Sequence, residues 1–547
     1  MHFRKHLTLI VLTIAFVARF YKLGEIPNGL YQDETAIGYN AYSILTNGRD
    51  EHNISYPLYF KSFGDQKLPI YIYLTSASVQ LFGLNAFAVR FPSALFGFLS
   101  ILLFFFYLRA ISKNEPLALV ATALLAINPW HVFYSRASFE VSIALFFFLA
   151  GALLLYKRRL FVSTLCFLVA FYSYNLTRLL APVLFLLLLS ISRKEIRTVS
   201  KMEVLATAVA TLVGLIPFIA QANSGGGATS AAGTLITSSA VVQAPLIEFR
   251  SYMTALPLLI TKIFFNSWVL TFWQYVVNIA SYFSVPFFFL TGSSHGNHGV
   301  GTSGQFYLLE LPLLLLGIFA VLKEKLYWTP HLVIWAAATI GIAALTREAP
   351  HATRSFFLVI PVVTIIAWGF LTLASGGRRI ITLIFCAFFL WNVAYYFSSY
   401  FIRFPIAYAK SWRSADRDLS LFIKDEGPKY EKILFDNSAG FTYSSLLFYT
   451  SYPPNNFQST ARWAKDDSEG FSQLLSFGKY EFKNVDWSTD YGPGKKTLII
   501  TTPDRKPEKA TPLKAFYYPK RPVVLALKQQ IINYPTNEVA YIAVATP

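Results

Sequence analysis

Asp33, Glu34, Asp50 and Glu51 crowd into the stretch Ile26–Glu51 of a chain in which only 14% of residues are charged. Pro27-Asn28-Gly29 turns the chain just ahead of the first pair, because proline fixes φ and glycine accepts positive φ. A helix is expected next, with Ile37, Ala41, Ile44 and Leu45 recurring on one face. Asp33 then sits at the helix N-terminus, where free N–H groups and the dipole favour an anion. Adjacent helical residues point about 100° apart. One carboxylate can therefore face a substrate while its neighbour holds a metal, an arginine or a backbone N–H. Asp33 and Glu34 are the candidate catalytic residues, in positions suited to general-base work. The alternative is a helix cap followed by a solvated loop.

Basic residues gather near the same ends of the expected helices: Lys67, Arg90, Arg136, Arg178, Arg347, His351 and Arg354. An anionic lipid phosphate would account for them, with arginine giving a bidentate contact and lysine a point charge. Interfacial snorkelling is the competing explanation for part of the set. Lys67, Arg90, His351 and Arg354 are the candidate substrate-binding residues. His351 and Arg354, three residues apart, would share one helical face. Glu140 lies at the edge of an apolar segment, where an ionisable group is costly unless paired or functional. Either Arg136 neutralises it, or it faces Asp33 and helps to bind Mg²⁺, Mn²⁺ or Zn²⁺. His295 and His298 have HxxH spacing, but a mobile polar loop explains them better than a zinc site. Gly299-Val300-Gly301-Thr302-Ser303-Gly304 spells GxGxxG without a preceding strand, so it is no dinucleotide fingerprint.

The elements that must position these residues are those of a membrane protein. Of the 547 residues, 54% are hydrophobic and 17% aromatic, beyond the usual soluble range. The net charge of +18 is spread through short clusters between apolar spans, so a nucleic-acid partner is not expected. Cys166 and Cys386 both lie in apolar segments and give no disulfide framework. We read about eleven membrane spans, beginning with Leu7–Tyr21 and Ala88–Leu108 and ending with Phe356–Leu373 and Ile380–Phe397. Leu68–Gly83 is expected as a surface or re-entrant helix, and Trp268–Leu290 as surface-lying helices. Clusters such as Lys157-Arg158-Arg159, Arg193–Arg197 and Lys323-Glu324-Lys325 mark cytoplasmic connections. The N-terminus is then cytoplasmic, while the acidic loop and the C-terminus are extracytoplasmic. The Gly/Ser/Ala run Asn223–Gly233 falls outside.

Composition turns soluble from about residue 403. This divides the chain into a membrane domain, 1–402, and an extracytoplasmic domain, 403–547, of small α/β or α+β class. Asp416–Lys424 reads as a helix, Ser444–Thr450 as helical or extended. Lys432–Phe435, Thr497–Thr501, Val523–Leu527 and Val539–Ala545 read as strands. No catalytic motif is visible there, and packing or acceptor docking is the expected role.

Leu30-Tyr31-Gln32-Asp33-Glu34 resembles the acidic motif in the first external loop of GT-C glycosyltransferases. The likeness is to the family 39 type, which includes protein O-mannosyltransferases, and to the bacterial lipid A aminoarabinose transferases. Lys67-Leu68-Pro69-Ile70-Tyr71-Ile72-Tyr73, Ala88-Val89-Arg90-Phe91-Pro92-Ser93 and Pro350-His351-Ala352-Thr353-Arg354-Ser355 add to it. The resemblance implies a mainly α, polytopic GT-C fold. It also implies an inverting enzyme that moves a sugar from a polyprenyl-phosphate carrier to an acceptor hydroxyl on protein, lipid or glycan, outside the cytoplasmic membrane. Asp33 resembles the family's catalytic aspartate, and Lys67 a lysine that meets the carrier phosphate. Glu140 stands about where the mannosyltransferases have a second acid. Gln66 replaces an acid found before that lysine in the aminoarabinose enzymes, which bears on metal dependence. A transporter of a lipid-linked saccharide is the alternative; it would need charges near mid-bilayer and interrupted helices in related halves.

Overall fold

Asparagine side chains cap the start of four helices. In the computed structural model, Asn85, Asn114, Asn128 and Asn266 each accept a backbone N–H from three residues downstream, the usual asparagine N-cap. They start the helices Ala86–Ser112, Glu115–Ile127, Pro129–Tyr134 and Ser267–Ser281. The structure describes residues 2–63, 65–192, 198–223, 235–237, 239–253, 258–293, 295–377, 379–467, 472–494, 496–519 and 538–546. The basic connection Arg193–Arg197, nearly all of the Gly/Ser/Ala run and the expected strand Val523–Leu527 lie outside these residues.

Apolar helices occupy the segments expected to span. Among the described residues, four have both the length and the apolarity to cross a bilayer: Ala86–Ser112, Lys201–Gln221, Phe356–Ser375 and Arg379–Ala407. Thr8–Phe20, Glu115–Ile127, Val141–Tyr156, Leu160–Phe171, Thr177–Ile191 and Thr329–Ala343 are apolar but shorter. The expected count of about eleven therefore exceeds the four that length and composition support. Small residues let neighbours approach closely. A side chain at Gly317 would meet the Ile365 carbonyl, and one at Gly369 the Leu313 carbonyl, so Glu310–Glu324 and Val359–Ser375 pack backbone to backbone.

Pro69–Phe82 is a separate helix of 14 residues. Just before it, β1 (Phe60–Ser62) and β2 (Asp65–Lys67) form an antiparallel hairpin pairing Phe60 with Lys67. In the aromatic stretch, Ser267–Ser281 is followed by a π-helical turn at Pro286–Leu290.

The described residues of the C-terminal part build a seven-stranded mixed sheet. Its strands are β3 (Lys432–Asp436), β4 (Arg462–Trp463), β5 (Leu474–Phe477), β6 (Tyr480–Lys483), β7 (Thr497–Thr501), β8 (Lys514–Tyr517) and β9 (Val539–Ala545). The order is β4-β5-β6-β3-β7-β9-β8, with β3 parallel to both β6 and β7 and the other pairings antiparallel. β3 and β7 read as continuous apolar runs because both faces are covered. Asp416–Glu426 and Tyr443–Thr450 pack on one face with Ile433, Phe435, Leu498 and Ile500. Tyr443–Thr450 also packs on the Gln32–Asn47 helix, where Gly38 leaves room for the Phe448 ring. Thr35 Oγ1 meets Ser444 Oγ at 2.8 Å, and Tyr39 donates to the Tyr452 carbonyl at 3.2 Å.

Candidate functional site

The Gln32–Asn47 helix carries both members of the acidic pair, and the helical rotation between neighbours separates them. Glu34 turns inward and is fully buried. Its two oxygens accept from Arg90 Nε and Nη2, each at 2.9 Å, and Oε1 also accepts from the Ser138 backbone N–H at 3.1 Å. Arg90 donates in addition to the carbonyls of Leu23, Pro27 and Gly29. A buried bidentate pair of this kind fixes geometry more surely than it adds stability. Glu34 and Arg90 were expected to be catalytic and substrate-binding, respectively. They are instead engaged with each other and with the turn, and neither reaches the cavity described below.

Asp33 faces the other way. Its Oδ1 lies 3.1 Å from Lys67 Nζ, with the lysine buried and the aspartate about one-third exposed. Lys67 comes from the last residue of β2, so the hairpin sets where the ammonium stands. Gln66 ties that hairpin to the membrane helices: its carbonyl accepts from Asn175 at 3.2 Å, and its side chain bonds Gln221, which accepts from Arg178 at 3.1 Å.

The Asp33–Lys67 pair lines a cavity of about 820 Å³. Tyr31, Glu140, His351 and Arg354 line it from the N-terminal, helical part of the chain. Arg354 donates to Thr346 Oγ1 at 3.1 Å, to the Glu348 carbonyl at 3.0 Å and to Glu348 Oε2 at 3.2 Å. The loop holding it is braced from the Ser267–Ser281 helix, whose Asn278 donates to the carbonyls of Ala344 and Thr346, each at 2.9 Å. His351 is pushed well below the ordinary imidazole range, by burial first and then by Arg354 and His298. It enters the site as a neutral ring, not as the cation expected from the basic cluster. Arg136 is buried and donates to the carbonyls of Ala18, Arg19, Tyr21 and Ile26. Its guanidinium is thus committed to the turn after the first helix.

Two groups of cavity residues escaped the sequence reading. His295 and His298, assigned above to a mobile polar loop, line the cavity. His298 packs edge-on to His351 with ring centres 4.9 Å apart, and its Nδ1 lies 3.1 Å from the Tyr134 hydroxyl. Burial pushes His298 down to about 4. The HxxH spacing was the available signal, but what fixes the loop is remote in sequence: Trp412 donates to the Gly296 carbonyl at 3.2 Å and Arg403 to the Val300 carbonyl at 3.2 Å. The second group, Lys410, Ser411, Arg413, Ala439, Gly440, Tyr518 and Tyr541, belongs to the C-terminal part.

Among the described residues, no three His, Cys, Asp or Glu side chains converge as a metal group. Asp33 is paired with Lys67 Nζ. Glu140 shares the cavity with Asp33.

The family model for dolichyl-phosphate-mannose-protein mannosyltransferases matches residues 9–165. No curated protein sequence matches the chain. Among solved structures, ArnT from Cupriavidus metallidurans in the apo state aligns over 100% of this chain and 98% of its own, at 14% identity and a TM-score of 0.50. The same protein bound to undecaprenyl phosphate aligns over the same shares at 13% identity and a TM-score of 0.50. AglB from Archaeoglobus fulgidus, in complex with an inhibitory peptide and a dolichol-phosphate, covers 82% of this chain and 63% of its own, at 14% identity and a TM-score of 0.47. The chain has a GT-C-like fold, as the resemblance of its acidic loop implied.

Proposed function

We propose that the protein is an inverting glycosyltransferase that moves a sugar from a polyprenyl-phosphate carrier to an acceptor hydroxyl, on the extracytoplasmic side of a cytoplasmic membrane. The observation that carries this reading is the Asp33–Lys67 pair, 3.1 Å apart, on the wall of a cavity that also holds Arg354 and His351. The GT-C-like fold supports it, and so does the undecaprenyl phosphate bound to the structurally similar ArnT.

In this reaction the acceptor oxygen forms a bond to the anomeric carbon as the bond from that carbon to the carrier phosphate oxygen breaks. Asp33 takes the acceptor proton, and the phosphate leaves with the bonding electron pair. Charge grows on the phosphate in the transition state, so prepositioned donors lower the barrier. Arg354 and Lys67 supply positive charge, and the neutral His351 and His298 rings supply directed hydrogen bonds without competing for the anion. Lys67 also orients the Asp33 carboxylate.

Incubating the purified protein with a panel of polyprenyl-phosphate sugars tests the reading: one donor is consumed, and an Asp33→Asn variant binds that donor without turning it over. Near-normal turnover by Asp33→Asn would remove Asp33 from the mechanism.

A further inference from the structure

The C-terminal wall of the cavity has the form of a ligand site in its own right. β3 is the central strand of the parallel trio β6-β3-β7, and its carboxyl end runs into Asn437-Ser438-Ala439-Gly440. Ligands of open α/β sheets bind outside the carboxyl ends of such strands. Here that end supplies Ala439 and Gly440 to the cavity lining. Gly440 has φ +66°, and a Cβ built on it meets nothing within 4 Å, so the loop leaves open space on the cavity side.

Arg413 stands beside this opening. It is a non-glycine residue at φ 51°, a conformation that clusters at binding sites because the surroundings must hold it. Its Nη1 donates to the Gly440 carbonyl at 2.7 Å, which fixes the guanidinium against the loop. The nearest carboxylate, Asp416 Oδ2, is 3.6 Å away and already accepts from Ser445 Oγ at 2.7 Å. Asp416 Oδ1 accepts from Tyr541 at 2.7 Å. Asp416 thus has other donors on both oxygens, and among the described residues Nε and Nη2 of Arg413 make no hydrogen bond. Tyr518 and Tyr541 flank the position with aromatic rings.

Resting on the transfer reaction proposed above, we propose that this wall is the acceptor subsite, and that the acceptor carries a phosphate or carboxylate that Arg413 binds. The carrier phosphate has its own cations in Lys67 and Arg354, on elements of the membrane domain. An isoprenoid tail belongs between apolar helices. An anion at Arg413, on the soluble domain, therefore belongs to the other substrate.

Calorimetric titration of inorganic phosphate into the full chain in nanodiscs tests this, with and without saturating polyprenyl phosphate. Phosphate is expected to bind in both cases. Arg413→Gln should weaken that binding at least tenfold and leave the affinity for polyprenyl phosphate unchanged, which also reports an intact membrane domain. Arg413→Lys should retain part of it. Phosphate binding that is absent, displaced by polyprenyl phosphate, or indifferent to Arg413→Gln overturns the proposal. A polyprenyl diphosphate that binds more tightly than the monophosphate, with the advantage erased by Arg413→Gln, would assign the anion to the donor and overturn it too. Failure of the wild-type chain to bind polyprenyl phosphate would count against the transfer reaction, while the phosphate titration without carrier would still decide this one.

Discussion

Half-buried Arg354 and fully buried Glu51 show how differently two ionisable side chains can be used. Arg354 is held by three hydrogen bonds to its own loop, so its orientation is set before substrate arrives. Truncation to alanine should lower kcat/KM for the donor on the order of 10²–10³-fold. Donor kinetics unchanged in Arg354→Ala would reassign the residue to structure. Glu51 is buried, and its Oε1 accepts from Asn40 Nδ2 at 3.0 Å. Burial pushes it up to about 7 from 4.5. A raised carboxyl holds its proton in the folded state where the unfolded chain has released it. Its cost to stability is therefore absent below about pH 4.5, grows between 4.5 and 7, and is full above 7. Glu51→Gln should stabilise the protein at pH 8 by on the order of 2–3 kcal/mol and leave it unchanged at pH 4.5. Thermal unfolding at the two pH values checks the sign.

At the scale of elements, the turn before the Gln32–Asn47 helix does more than redirect the chain. Gly29 has φ +94°, and a Cβ there would strike the Trp412 carbonyl and the Ser414 backbone. Trp412 in turn packs 5.3 Å from Tyr31 and 5.7 Å from the Arg90 guanidinium. Gly29→Ala should therefore cost more than about 1–2 kcal/mol and displace the helix N-terminus that carries Asp33. Transfer should fall far more than carrier-lipid affinity, measured as kcat against the dissociation constant for polyprenyl phosphate. Much of this was legible in the residues. Pro27-Asn28-Gly29 announced a turn, the apolar period announced the helix, and the angle between neighbours announced that Asp33 and Glu34 would part. What was not legible was Glu34's partner. Arg90 lies 56 positions away and was grouped with cations for a phosphate, because local spacing cannot tell a buried clasp from an exposed ligand. The strands β4, β5, β6 and β8 were also missed; they are short, and their patterns are weak away from the sheet that pairs them.

The whole molecule joins its two parts through the same helix that bears Asp33. Gly38 admits the Phe448 ring, and Asn47 donates to Asn455 at 2.7 Å and to Gln458 at 2.8 Å. Gly38→Leu should drive the C-terminal sheet off this face. Limited proteolysis would then cut near residues 403–415, and transfer would be lost while polyprenyl phosphate still binds. An intact, active Gly38→Leu variant would show that the contact is incidental. The sequence divided the chain near 403 from composition alone. It could not show that residues such as Trp412 and Phe448 return to the acidic loop, since their contacts with Tyr31 and Gly38 span hundreds of positions and depend on folded backbones on both sides.

Trp412 touches the turn, the arginine clasp and the histidine loop together. During synthesis, a nascent chain with every apolar helix already in the bilayer would still lack that indole. The acidic loop would wait beside a half-built chamber until the last quarter of the polypeptide had been synthesised and folded over it.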